Sequence, residues 1–429
     1  MAECDVVIVG AGPAGAIAGI ILARAGARVR LIDRATFPRD KLCGDTINPG
    51  ALGILKRLGL GGDVEARSLC VDGMVVTGEG GIAIEGRYPS GIHGRAIVRR
   101  DFDWLLLQHA IRAGCEFEPR VAAQRAIVAG QNPEWSVGGV VALANGRERS
   151  VPARVTIAAD GRRSVLAFGL GLARHPARPR RWAIGGYFEG FGSREDGSGT
   201  EVAPRDGGPP WEGRRSLAGT EVPGRDGGRT EQGRSGDGRR TLGEMHVRSA
   251  CYIGVARVPG DLTNVCFVKA TGPRDTDLRD PAGLLIRELA RDPQLRDRSA
   301  GARLVAPPVV LGPLAVDVRR AAIDGLILAG DAAGFIDPMT GDGLWFAIRG
   351  GELAAAAALQ ALEHGWPGVH TQLHTERRRA FGGKWAFNRA LRALVASPHA
   401  IHLAARGVRV APGVLRAVIA RAGDCHVAD

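Results

Sequence analysis

Three aspartates in this chain each close an apolar run beside a glycine or a turn, a pattern suited to holding a ligand. Asp33 ends RVRLID (28–33), Asp160 ends VTIAAD before Gly161, and Asp331 follows GLILAG, which ends at Gly330. A carboxylate at the end of a strand can accept hydrogen bonds from sugar hydroxyls, and open α/β sheets bind ligands at that edge. A fourth group is the thiol of Cys43 in FPRDKLCGD (37–45). It can donate a weak S–H bond or be oxidised, although free cysteine is more often a small buried apolar residue.

These groups need strands, turns and helices to aim them. VVIVGAGPAGAIAGIILARAG (6–26) reads as a strand, a glycine turn and a helix, with G-x-G-x-x-G at Gly10, Gly12 and Gly15 and with Pro13 and Ala14 inside the turn. Gly10 permits the tight turn, Gly12 lets backbone approach a pyrophosphate, and Gly15 lets helix and strand pack closely. The helix N-terminus then favours the negative charge of the phosphates. Asp33 lies about twenty residues further on, at the spacing expected for a ribose contact. After Asp331, the residues Pro338, Gly341, Asp342 and Gly343 break the chain before a helix with apolar residues at Leu344, Ala347, Ile348, Gly351 and Ala355. Its N-terminus would stabilise negative charge on a bound ring, whereas Asp342 is expected to repel an anionic substrate there.

Composition narrows the class. The chain has 429 residues, 63 of them glycine, and a net charge of +12, as a two- or three-domain α/β protein with many loops would have. Lysine occurs only at 41, 56, 269 and 384, so the positive charge is spread as arginine with no aromatic-interleaved basic stripe. Nucleic acid is not an expected partner. The seven cysteines never fall in C-x-x-C spacing; this argues for a reducing cytoplasm and against a zinc site, and no metal is expected. The start, MAECDVVIVG, does not read as a secretory signal, and no apolar run is long enough to span a membrane.

The G-x-G-x-x-G, Asp160-Gly161 and Gly330-Asp331 segments, in this order, resemble the FAD-dependent oxidoreductases of the para-hydroxybenzoate hydroxylase superfamily. VRRDFDWLLLQHAIRAG (98–114) resembles that family's arginine-bearing segment, with Phe102-Asp103 opening a helix. The resemblance covers 1–180 and 305–370 and implies FAD as cofactor. Asp33, followed by Arg34, would hold the adenosine ribose and Asp331 the ribityl chain. Asp160 would contact FAD or NAD(P)H, and Arg99 would lie near the flavin. Asp33 stands where glutamate is commoner in the family. Phe37-Pro38-Arg39-x-Lys41-x-Cys43-Gly44 looks most like the geranylgeranyl-reductase-like branch. It implies a lid with Cys43 and Gly44 beside the ring, Cys43 being the one catalytic candidate. The halogenase Trp-x-Trp-x-Ile-Pro stretch is absent from Tyr252–Pro259, and the aromatic-x-Trp-x-Phe-Pro motif of prenyl reductases is only echoed there.

The expected fold is α/β: a Rossmann-type, GR2-like FAD-binding domain with an inserted antiparallel β substrate domain and a C-terminal helical segment. The first comprises 1–70, 95–180 and 280–370, the second 71–94 and 181–279, and the third 371–429, as amphipathic helices broken at Pro398 and Pro412 that cap the underside of the sheet. Residues 71–90 read as a hairpin, and 181–190 and 245–270 as further strands. Residues 191–243 contain an imperfect twenty-residue duplication and few apolar groups, so they read as a disordered insertion. A lone His246 reads as structural. The expected activity is NAD(P)H-driven monooxygenation of a small-to-medium apolar or aromatic substrate, in secondary metabolism. The alternatives are reduction of isoprenoid double bonds and a non-catalytic flavin-binding redox module. NAD(P)H would bind without its own Rossmann unit, since no second glycine motif follows a strand. Contact of the basic apolar tail with a membrane surface is the weaker reading of that segment.

Overall fold

The computed structural model describes residues 4–79, 83–130, 135–177, 181–194, 241–249, 251–271, 276–335, 339, 341–395 and 423. Strand β1 (Cys4–Val9) is apolar at nearly every position, as a strand buried on both faces requires. It runs into helix α1 (Pro13–Arg24), with Gly12 as N-cap and Pro13 in the first turn, where a missing N–H costs nothing. Strand β2 (Val29–Asp33) returns parallel to β1. Strand Arg147–Ala158 lies on the other side of β1, and Leu326–Leu328 lies beyond it, both parallel. Register then fixes the site: Val9 pairs with Ile32 and with Ala158, and Ala158 with Leu328. The turns carrying Gly10, Asp33, Asp160 and Asp331 therefore leave the sheet along one edge.

Helices α1 and Gly343–His364 share one apolar core, and they approach closely because their contact residues are small. A Cβ added at Gly351 would lie 2.5 Å from the Ala14 carbonyl oxygen, and one added at Gly15 would lie 1.9 Å from that of Gly10. Gly10 itself adopts φ +102°, a conformation a side chain rarely takes.

Among the described residues the second sheet has ten strands, ordered Arg303–Leu304, Arg181–Glu189, Leu262–Ala270, Cys251–Val258, Thr241–Arg248, Leu69–Thr77, Gly94–Ala96 and Thr46–Ile47, with Val309–Leu311 and Ala83–Arg87 attached. The expected hairpin is present as Leu69–Thr77 paired with Ala83–Arg87. The sheet is not purely antiparallel, however: Thr241–Arg248 runs parallel to Leu69–Thr77. The strand approaches from the segment before 241, so no tight hairpin dictates its direction.

Three further expectations are corrected. Residues 281–311, assigned to the dinucleotide unit, pack on the second sheet: Leu284, Leu285 and Leu289 bury against Ile184, Phe188 and Phe267. The insertion is shorter than read, because Phe191 joins that core and Thr241–Gly243 begin a strand; 195–240 lie outside the described residues, as does the duplication. Helix Val369–Val395 packs along Gly343–His364 and reaches the ligand edge of the sheet through Arg377 and Lys384, where it was expected only to cap the underside. Pro398 and Pro412 lie outside the described residues. Among the described residues, no helix is long and apolar enough to cross a membrane.

Candidate functional site

The glycine turn is held by the acid that closes β2. Asp33 is 9% exposed; its Oδ2 accepts the Ala11 amide at 2.8 Å and its Oδ1 the Ala35 amide at 2.8 Å. Each oxygen keeps a lone pair for a further donor. Aspartate in place of glutamate thus anchors the loop as well as facing it. Arg34 is exposed at the same strand end. Around Gly12 the protein leaves clearance: an added Cβ meets only an Arg39 guanidinium nitrogen, at 3.6 Å.

Asp160 caps the helix that follows it, its Oδ2 accepting the Val165 amide at 2.9 Å, while its Oδ1 is buried without a hydrogen-bond partner. Burial raises its pKa against the hydrogen bonds that lower it. At Gly161 an added Cβ meets only Lys41 Nζ, at 3.7 Å. Gly330 takes φ +59° and brings its backbone against Ala14, placing Asp331 beside the first turn of α1. Burial raises the Asp331 pKa, while the charges of Lys41, Arg99 and Arg162 draw it down.

FPRDKLCGD folds over this edge. Leu42 is buried, Cys43 and Lys41 half-buried and Gly44 exposed, and a Cβ at Gly44 would meet no protein atom within 4 Å. Arg99 is 6% exposed and binds Asp103 with two hydrogen bonds of 2.8 and 2.9 Å; Arg39 meets the same carboxylate at 3.1 Å. Burial pulls the Arg99 pKa down, but Asp103, together with the Cys43 thiol alongside, carries it well above its usual value. Burial and Arg99 lower the Lys41 pKa, opposed by Asp331. The site therefore concentrates cations where phosphates and an anionic ring would lie.

Gly341, Asp342 and Gly343 open the helix Gly343–His364 as read, while Pro338 lies outside the described residues. The expectation for Asp342 is overturned. It is 2% exposed, and its Oδ1 accepts Lys384 Nζ at 2.5 Å and Asn48 Nδ2 at 3.0 Å. Lys384, 4.8 Å above the Trp345 ring, neutralises the acid, which would otherwise repel negative charge. Sequence reasoning missed Lys384. Its one signal was rarity, since it is a solitary lysine on an arginine-rich helix.

Above the lid, one face of the second sheet is apolar: Leu42 packs there with Met74, Met245, Tyr252, Val268, Leu314 and Met339. His246 is on the opposite face, between Thr77 Oγ1 at 2.8 Å and Glu244 at 3.1 Å, with Arg298 bound twice to Glu244; it is structural. The fold also gathers Cys70, Asp72 and His93 with ligand atoms within 4.8 Å of one another, a cluster that sequence spacing did not show. His93 Nδ1 already meets Asp72 Oδ1 at 3.0 Å, and Arg87 faces the same carboxylate at 3.9 Å, a cation that opposes a metal there.

The segments near Gly12, Gly44 and Gly161 leave backbone uncovered by side chains, and the cations and Asp331 converge on it. This donor set fits a flavin dinucleotide: phosphates at the α1 N-terminus, sugar hydroxyls at Asp33 and Asp331, and a ring between Gly44 and Gly343.

A family profile described as an FAD binding domain matches residues 3–184. Menaquinone reductase of Mycobacterium tuberculosis is 37% identical over 187 residues, 43% of this chain and 44% of that protein. Digeranylgeranylglycerophospholipid reductase 1 of Methanopyrus kandleri is 28% identical over 375 residues, covering 84% of this chain and 82% of that protein. The chain spans between 44% and 63% of the length of the first curated relatives it matches. Among solved structures, the flavin-dependent brominase Bmp2 superposes with a TM-score of 0.76 at 20% identity, over 98% of this chain and 94% of that one, which is a likeness of fold. Residues 3–184 thus match an FAD binding domain, and in sequence the chain is similar to a menaquinone reductase and a digeranylgeranylglycerophospholipid reductase.

Proposed function

We propose that the protein is an FAD-dependent reductase that delivers hydride to a double bond or quinone of an isoprenoid-bearing substrate, with NAD(P)H as electron donor. The observation that carries this reading is the apolar face formed by Leu42, Met74, Met245, Tyr252, Val268 and Met339. Leu42 of the lid packs against it. The names of two sequence relatives, a menaquinone reductase and a digeranylgeranylglycerophospholipid reductase, support reduction ahead of the monooxygenation expected from sequence.

FAD, when bound, would supply the hydride chemistry. The protein's own residues bind and orient. The α1 turn with Arg39 receives the phosphates, Asp331 the sugar alcohol, and Lys41 and Arg99 offset negative charge. Cys43 and Gly44 present a small surface to the ring, and the apolar face excludes water from the substrate.

Oxygen-dependent hydroxylation of an apolar substrate is the second reading, favoured by the absence of the prenyl-reductase tryptophan motif between Tyr252 and Pro259. The two separate without oxygen. Chemically reduced protein, mixed anaerobically with menaquinone or a geranylgeranyl lipid, is expected to regain oxidised-flavin absorbance and give a product heavier by two hydrogens. Cys43→Ala is expected to slow that step about tenfold, roughly 1.4 kcal/mol of barrier. Reoxidation only on admitting O₂, with oxygen found in the product, would favour hydroxylation.

A further inference from the structure

The Gly343–His364 helix begins with an aspartate that does not close it. Asp342 is its N-cap residue, yet the side chain makes no capping hydrogen bond, and φ −80° with ψ −1° is not the extended backbone of a capping aspartate. The first amides of a helix find no partner within it, and they attract negative charge. This helix start lies at the ligand edge. A Cβ added at Gly350 would fall 3.2 Å from the Gly330 amide nitrogen, next to Asp331 in the chain. One added at Gly341 would fall 3.4 Å from Thr46 Oγ1, in the strand that follows the lid.

What draws the carboxylate aside belongs to two other elements. Asp342 and Lys384 are each 2% exposed, and Asp342 Oδ1 accepts both Lys384 Nζ, at 2.5 Å, and Asn48 Nδ2, at 3.0 Å. Asn48 is fixed in turn, because its Oδ1 caps the Pro49–Arg57 helix by accepting the Ala51 amide at 2.8 Å. Asp342 Oδ2 is buried with no hydrogen-bond partner among the described residues. The acid is thus gripped by one oxygen, and the other can still take a donor. We propose that Lys384 is a positioning residue for the flavin: it draws the Asp342 carboxylate off the helix N-terminus and cancels its charge, leaving the first-turn amides to the negative charge of a reduced ring. This rests on the flavin reading above.

Two negative groups compete for one helix end. Its amides favour a carboxylate of their own chain as readily as a ligand's charge, and a carboxylate lodged there repels the ligand. Asn48 offers the acid a dipole but no charge, so the neutralising partner is Lys384. Burial keeps water and salt from screening the pair. Without Lys384, the acid would keep its charge by turning onto the first-turn amides, where it would occupy the site. Removing Lys384 and Asp342 together leaves neither a stranded charge nor a competitor, and a buried ion pair can be replaced as a unit at little cost.

The test compares wild type, Lys384→Met and the double variant Lys384→Met/Asp342→Ala by FAD titration and by redox titration of the bound flavin. Lys384→Met is expected to bind FAD about tenfold more weakly, and reduced FAD about tenfold more weakly again, which lowers the two-electron midpoint by about 30 mV. The double variant is expected to return to within about twofold of wild type in affinity, with the midpoint restored. A Lys384→Met protein that matches wild type in both readouts, or a double variant that stays as weak as Lys384→Met, would overturn the proposal. Should Lys384→Met not fold, the double variant decides alone: wild-type affinity and midpoint support the role, and a loss of either overturns it. If wild type bound no FAD, the cofactor reading would fail, and amide exchange in the flavin-free protein would decide the role of Lys384. The amides of Gly343, Leu344 and Trp345 are then expected to exchange about tenfold more slowly in Lys384→Met than in wild type and the double variant; equal rates in all three would overturn it.

Discussion

At the scale of single residues, the charges that matter here are set by partners distant in sequence. Asp342 reads as repulsive in sequence because Lys384, 42 positions on, is invisible to local pattern. Glu244 is similar: burial pushes its pKa up, but His246 and the two hydrogen bonds from Arg298 outweigh it and hold the carboxyl at about 2. Its folded pKa is depressed, so its contribution is complete above the ordinary glutamate range and disappears as pH falls through about 2. Glu244→Gln, which strands Arg298, is expected to lose about 3 kcal/mol at neutral pH. In denaturant melts the deficit is expected to shrink steadily on acidification below about pH 4.5. A deficit independent of pH would contradict the ionic assignment. The residues legible from sequence were those whose role is set by the backbone next to them, such as Gly10, Gly15 and Asp33. Lys384 was not legible, because its role comes from a pairing across the chain.

At the scale of elements, two helices meet at glycine. The Gly343–His364 helix lies so near α1 that an added Cβ at Gly351 falls 2.5 Å from the Ala14 oxygen and 3.2 Å from the Ile17 Cβ. Gly351→Val is expected to cost about 1–3 kcal/mol, because neither backbone can yield without moving the turn that follows β1. It should also weaken FAD binding, since Ala14 belongs to that turn. A variant with unchanged melting temperature and unchanged flavin content would show that the packing does not hold the turn. The alternation of strand, glycine and helix was readable here because each element carries its own period. The parallel strand Thr241–Arg248 was not, since strand direction depends on how the preceding segment returns.

At the scale of the whole molecule, a parallel sheet lines up three acids along one edge, and a second sheet covers that edge with an apolar face. The architecture was legible because the register of parallel strands follows from short, buried, β-branched runs. The ownership of residues 281–311 was not, because an amphipathic helix does not declare which sheet it will cover. We propose that four separated segments converge on one FAD, with Asp331 holding its sugar-alcohol arm. The direct measurement is equilibrium binding of FAD to flavin-free protein, wild type beside Asp331→Ala. One tightly held flavin per chain is expected and, in the variant, affinity lower by about 10- to 100-fold, the worth of one or two hydrogen bonds to a charged group. A wild-type protein that takes up no flavin, or an Asp331→Ala variant that binds as tightly as the wild type, would contradict it.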